Sequence, residues 1–320
     1  MENSKPASVS ETCGVNSSRR HALALVLGAG RWLPAALAAA DSGRPFRLAI
    51  SESLVADVNL NDARAAMLIW IKRITQDLNI AVEVNPKVFD TTQEILNRAR
   101  SGQLDAVALN VVEYRQIADV LDSNQIIAEG GAPGLEQYLL LAKRTSGIEH
   151  VGDLRGHRLC MLKAPKMCVA GAWLSTILDE GHCGPSEQFF GSVTTDTKAS
   201  RVVLPVFFGQ AEACLTSKRG FDTMCELNPQ VAKELTVIAS SPAMVVTFYI
   251  FHRNYHGLTR ESFAKVYSDV RISAAGRQLA TLFQFEELVV KDSGCLVCAL
   301  GVLDAAERAR SRSGAGSRKG

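Results

Sequence analysis

The stretches "DTTQEILNRARSGQLDAVAL", beginning at Asp90, and "DTKASRVVLPVFFGQAEACL", beginning at Asp196, follow one plan. Each opens on Asp-Thr, runs through a helix-length segment, reaches Gly-Gln, and enters an apolar run through Asp-Ala or Glu-Ala. In the first, Thr91 with Glu94 forms a capping-box pattern, and Gly102 supplies the stop on which helices commonly end. In the second, Thr195, Asp196 and Thr197 read as the cap and Gly209 as the stop. Pro205 interrupts that helix by removing one backbone hydrogen bond. Any α/β chain alternates strand and helix, but the shared Gly-Gln-x-acid-Ala at nearly equal separation demands more. It predicts two lobes of like topology, each holding a capped helix, a glycine stop and a buried strand.

The remaining chain fits that reading. "RPFRLAIS" is a short buried strand, a helix follows from about Asn61, and "IAVEVNP" alternates as a strand until Pro86 stops it. "LDAVAL" reads as a strand, "VVEYRQIADVL" as a helix and "QIIAEG" as a strand. The grammar restarts with "EQYLLLAKR" and "HRLCML" as strands, "MCVAGAWLSTILDEG" as a helix and "SEQFFGSV" as a strand. "ELTVIASS" and "VVTFYIFHRN" are two further apolar strands, and two helices near 259–270 and 274–283 close the ordered chain. Trp70 and Trp173 sit mid-helix at apolar spacing, as core residues do. Strands alternating with helices mean an α/β protein with largely parallel sheets.

Charge and termini narrow the class. The formal net charge is only +2 over 320 residues, with no basic stripe, so no nucleic-acid partner is expected. The tail "RARSRSGAGSRKG" reads as a disordered basic segment. At the other end, "SSRRHALALVLGAGRWLPAALAAADSG" has the order of a secretory signal: paired arginines Arg19 and Arg20, an apolar stretch, then small residues with Ala38 or Ala40 as cleavage positions. Ser18-Arg19-Arg20-His21-Ala22-Leu23 also resembles a twin-arginine export signal. Removing Cys13 with that segment leaves Cys160, Cys168, Cys183, Cys214, Cys225, Cys295 and Cys298. In an exported protein these invite a disulfide framework, and Cys295-Leu-Val-Cys298 reads as a buried or bonded pair. Cys160 and Cys214 fall within apolar strands and read as small core residues. No second Cys pair or His pair completes a zinc set, so neither metal nor cofactor is expected.

Helix starts facing a gap suit an anion, because unpaired N–H groups and the helix dipole concentrate positive potential there. Nucleophile elbow, metalloprotease, phosphate-loop and dinucleotide motifs are all missing. "RVVLPVFFGQAEACLTSKRGFDTMCELNPQV", "RARSGQLDAVALNVVEYRQI" and "VGDLRGHRLCML" resemble, in order and spacing, the phosphate/phosphonate-type solute-binding proteins of ABC importers. The resemblance covers Arg44 to about Val290. It implies a two-lobed type II periplasmic-binding-protein fold with a ligand cleft between lobes. The implied organisation is an export signal at 1–40, lobe I at 44–137 plus 246–305, lobe II at 138–245 and the basic tail at 306–320.

The resemblance also implies site residues. From lobe I these are Ser51, Glu52 and Ser53 after the first strand, Thr91 and Thr92 at the second helix start, and Asn110, Glu113 and Tyr114 after "DAVAL". From lobe II they are Lys163 to Cys168, with Lys163 and Lys166 as cations, and the helix start with Thr195, Thr197 and Lys198. Family members carry a Gly/Ser/Thr-rich turn where this chain has "KAPKMC", and Ser-His where it has Lys198-Ala199. Hydroxyls are thus exchanged for lysines. The implied protein is a periplasmic, monomeric receptor that makes and breaks no bond. It passes a small anion (phosphonate, phosphate or phosphite-like) to an ABC permease in the inner membrane. Two alternatives share the fold: a ligand sensor for a membrane kinase, and an enzyme using Cys168, beside Lys166, or another thiol as nucleophile.

Overall fold

The computed structural model describes residues 44–85, 87–131, 134–270, 277, 280–281 and 287–316. The export signal and most of the 274–283 helix lie outside the described residues. In chain order the elements are β1 (Phe46–Ile50), α1 (Leu60–Asp77), β2 (Val82–Glu83), α2 (Thr92–Arg100), β3 (Ala106–Asn110), α3 (Val111–Ile117) and β4 (Gln125–Glu129). Next come β5 (Tyr138–Lys143), β6 (Arg158–Leu162), α4 (Ala170–Glu180), α5 (Ser186–Phe189), β7 (Ser192–Asp196), α6 (Ala199–Phe207) and β8 (Ala213–Ser217). They are followed by α7 (Lys218–Leu227), α8 (Pro229–Glu234), β9 (Leu235–Ser240), β10 (Thr247–Phe251), α9 (Arg260–Val270), β11 (Leu288–Asp292) and α10 (Val297–Gly316).

The strands form two sheets, ordered β11-β4-β10-β3-β1-β2 and β7-β6-β8-β5-β9. Three parallel strands in each, β2-β1-β3 and β7-β6-β8, are followed by one antiparallel strand, β10 or β5. The two units, lobe I and lobe II below, are therefore built alike. The chain crosses between them twice. The crossings pair where Glu136 and Met244 exchange backbone hydrogen bonds of 2.7 and 2.8 Å.

The repeated phrase sits at equivalent places, and each of its letters has a physical cause. The helix is α2 in lobe I and α6 in lobe II, each bridging the outer strand and the central one. Gly102 and Gly209 hold φ of +67° and +72°, the left-handed stop that costs an L-residue energy. The acid lies one residue before the central strand and clamps the neighbouring strand. Asp105 accepts from the Arg47 backbone N–H at 2.9 Å and from its guanidinium at 2.9 and 3.3 Å. Glu212 accepts from the Arg158 backbone N–H at 2.9 Å and from its guanidinium at 2.9 and 3.1 Å. Arg44 adds two further bonds to Asp105, at 2.8 and 3.0 Å. Such bidentate Arg–carboxylate pairs fix register as well as adding energy.

Trp70 and Trp173 are buried, at 1% and 4% exposure, as their spacing predicts. Other expectations need correction. "SEQFFGSV" is not one strand: Pro185 starts the single turn α5, and the strand is the exposed β7 beyond it. Thr195–Thr197 do not cap α6. The Asp196 carboxylate takes the Lys198 backbone N–H at 2.9 Å, and the helix opens at Ala199 with no side-chain cap. The arginine-rich tail is helical as far as Gly316. Ala299, Val302, Leu303, Ala306 and Ala309 form its buried stripe, and Arg312 pairs with Asp179 on α4. All seven cysteines from Cys160 to Cys298 are free thiols, and Cys298 is exposed, so no disulfide framework forms among them.

Candidate ligand site between the lobes

The turn after β1, the end of β4 and part of β10 face the turn after β6 and the carboxyl end of β8 across a gap, and ligand sites in open α/β sheets lie beyond such strand ends. A cavity of about 660 Å³ opens there, within the range of small-molecule sites. Leu162, Met167, Met224 and Leu227 of lobe II and Phe248 and Leu288 of lobe I supply apolar wall. Four charged side chains meet inside it. Lys166, in the short turn Pro165–Met167 after β6, donates to Glu129 at the end of β4 at 2.8 Å and lies 3.6 Å from Glu136 at the crossover. Arg219, at the start of α7, lies 3.5 Å from Glu129 and 4.0 Å from Glu136. Both carboxylates are buried, with 8% and 6% of their side chains exposed. Burial raises the Glu136 pKa, against the opposing pull of Lys166 and then Arg219. The Tyr138 hydroxyl donates to the Lys166 carbonyl at 2.9 Å, which fixes the turn.

The residues implied by the resemblance divide into groups. Lys166 and Thr197 line the cavity. Ser51, Ser53, Thr92 and Asn110 converge, but on a side chain of the protein itself, the Glu113 carboxylate. Ser51 and Thr92 donate to its Oε1 at 2.6 and 2.7 Å, and Ser53 and the Asn110 backbone N–H to its Oε2 at 3.1 and 3.0 Å. Thr91 is occupied as the cap of α2, exchanging bonds with Glu94. Tyr114 packs edge-on against Phe248 with ring centroids 5.4 Å apart, as a core residue. Glu52, Lys163, Thr195 and Lys198 are exposed and line no part of the cavity.

Glu129, Glu136, Arg219 and Ser217 were not expected. Two of them carried a signal: Glu129 ends an apolar run at a glycine, and Ser217 ends β8 as Asn110 ends β3. Glu136 and Arg219 become visible only once the lobes face each other.

Cys168 lies beneath this site, its thiol 3.9 Å from the Val246 carbonyl. Burial, with the nearby Glu113 charge, pushes its pKa up to about 12. A nucleophilic thiol needs the opposite setting. Among the described residues no group of His, Cys, Asp and Glu could hold a metal ion.

Comparison with known proteins agrees with this architecture. Residues 55–292 match the family of ABC-transporter phosphonate periplasmic substrate-binding proteins. The chain belongs to that family, whose members are periplasmic, bind a small ligand rather than transform it, and work with an ABC permease. The fold is that of the type II periplasmic binding proteins. A binding-protein component of a Pseudomonas aeruginosa ABC phosphonate transporter is 15% identical with a TM-score of 0.53, over 85% of this chain and 89% of that one. PhnD1 of Prochlorococcus marinus, in complex with methylphosphonate, is 11% identical with a TM-score of 0.53, over 82% of this chain and 97% of its own. A Xanthomonas citri protein bound to ATP is 12% identical with a TM-score of 0.57, covering 84% of this chain and 99% of its own. At these identities the likeness is one of fold. No curated protein matches the sequence.

Proposed function

We propose that this protein is the exported receptor of an ABC importer and that it captures an organic anion between its lobes. Lobe I is taken as 44–137 with 246–305, lobe II as 138–245, and the N-terminal 1–40 as the export signal. The ligand's acidic group sits between Lys166 and Arg219, exchanging places with one of the carboxylates that now hold them. Its apolar part lies along Leu162, Met167 and Leu227.

The observation that carries this reading is the cavity itself: about 660 Å³, lined from both lobes, with two cations and the two carboxylates that hold them set in a largely apolar wall. Methylphosphonate or phosphate would leave most of that space to water. A phosphonate or carboxylate with a larger apolar substituent would bury it, at about 25 cal/mol per Å² of apolar surface.

Titration calorimetry with phosphate, methylphosphonate and phenylphosphonate tests the proposal. Affinity should rise along that series and fall at least about tenfold in Lys166→Met, the loss of one charge-assisted hydrogen bond. Phosphate binding as tightly as phenylphosphonate, or affinity indifferent to Lys166, would refute it.

A further inference from the structure

We infer that the hydroxyl cluster of lobe I is an oxyanion cage which the chain fills with its own carboxylate, and that Glu113 thereby determines which ligands the protein refuses. The meaning of this device for specificity rests on the receptor reading above; the cage does not.

The bonding closes without a gap. Ser51 accepts the Ser53 backbone N–H at 3.2 Å and donates to Glu113 at 2.6 Å. Ser53 accepts the Asn110 side-chain amide at 3.0 Å and donates to Glu113 at 3.1 Å. Thr92 and the Asn110 backbone N–H complete the set, so each carboxylate oxygen has two donors. Ser51 is fully buried and Glu113 4% exposed. Among the described residues no cation pairs with Glu113. A buried anion held by neutral donors alone is the environment an oxyanion receptor offers its guest.

A capping box alone would not require this. Glu113 does cap α3 by accepting the Asn110 N–H, and that takes one donor. Glu94 plays the same role on α2, and there the carboxylate bonds Thr91 and, at 3.6 Å, meets Lys87, remaining at the surface. Among the described residues only Glu113 collects hydroxyls from two other segments.

Lobe II provides the internal control. By strand register and helix start, Ser51 and Ser53 correspond to Leu162 and Ala164, Thr92 to Ala199, Asn110 to Ser217, and Glu113 to Gly220. All five counterparts line the cavity. Where lobe I has donors and a carboxylate, lobe II has methyl groups, one hydroxyl and, at Gly220, no side chain at all, with Ala199, Ser217 and Thr216 standing 3.1 to 3.3 Å from where a Cβ would be. The lobe I seat is therefore polar and taken, and its lobe II counterpart is a mainly apolar part of the cavity wall. An inorganic oxyanion finds a neutral-donor cage in neither.

Removing the internal guest should let an external one in. Glu113→Ala and the isosteric Glu113→Gln are compared with wild type by thermal unfolding and circular dichroism, in formate and inorganic phosphate at ionic strength matched with chloride. The expected result is a lowered midpoint for Glu113→Ala that climbs saturably with formate and phosphate. The same concentrations should leave wild type and Glu113→Gln unmoved. If Glu113→Ala is unfolded alone, formate should refold it. Adding Thr92→Val should weaken the rescue about tenfold or more, as one hydrogen bond to a charged group is lost. A Glu113→Ala protein that no anion stabilises or refolds overturns the inference, as does a rescue indifferent to Thr92 or shared by wild type. Failure here, with phenylphosphonate still binding through Lys166, would leave the receptor reading intact. Rescue without any ligand for the cleft would remove that reading alone.

Discussion

Lys166→Met is the perturbation that best separates an electrostatic cleft from a merely packed one. Lys166 keeps only 20% of its side chain exposed and spans Glu129 and Glu136, which are buried more deeply still. Removing one partner of a buried pair costs about 3–5 kcal/mol, because an uncompensated charge is left behind. Arg219 remains at 3.5 and 4.0 Å, so the lower end, about 3 kcal/mol, is expected near neutral pH. The sign of the pH dependence follows from Glu136, whose folded pKa is already raised. A carboxyl with a raised folded pKa holds its proton in the native state after the unfolded chain has released it. Stability is then greatest below the unfolded value of 4.5 and declines as pH rises through the folded one. Losing Lys166, which opposes the shift, widens that window. The penalty in Lys166→Met should therefore be small near pH 4 and grow toward neutrality. Urea unfolding of both proteins at several pH values reads it directly. An equal penalty at acid and neutral pH would refute the coupling, and a penalty largest in acid would reverse its sign.

Other outcomes follow from the same structure. Asp105→Asn should cost about 2–3 kcal/mol, since its side chain is 2% exposed between two arginines, whereas Glu212→Gln should cost under about 1 kcal/mol, because Arg158 is 55% exposed; thermal unfolding showing the reverse order would sink the argument from burial. Arg158 holds the Glu212 pKa down to about 2, but solvent screening at this exposed pair keeps the effect small; its contribution should be present above pH 4.5 and disappear as pH falls toward 2, a shallow acid limb that Glu212→Gln would lack. Iodoacetamide at pH 7.5 should label the exposed Cys298 and spare Cys168, whose thiol stays protonated; rapid labelling of Cys168, read by peptide mass, would revive the nucleophile reading.

What the sequence disclosed, and what it hid, follows from the range of the interactions involved. The duplicated phrase was legible because helix caps, glycine stops and buried strands are written in short runs, and the two sheets have the like topology it predicts. Its acids proved to be strand clamps, an assignment that needs the register between β1 and β3 or β6 and β8. Edges were illegible for the opposite reason. β7 is exposed along most of its length, so it lacks the apolar alternation that marks a strand, while the aromatic run before it mimics one. The last helix is hard to see in the sequence because its arginines and glycines read as a disordered tail, although Ala299, Val302, Leu303, Ala306 and Ala309 keep helical spacing.

The site divides along the same line. Resemblance groups Ser51, Ser53, Thr92, Asn110 and Glu113 as ligand contacts, and cannot say that the first four would bond the fifth. That fact depends on three segments far apart in the chain arriving within hydrogen-bond reach of one carboxylate. A fold can thus keep the donors of an oxyanion site and lose the site, by changing a single position on the helix that follows the central strand. In the other lobe the matching position is a glycine and the residues matching Ser51, Ser53 and Thr92 end in methyls, and all of these line the cavity. Specificity here is set less by the donors present than by which of them already hold a guest.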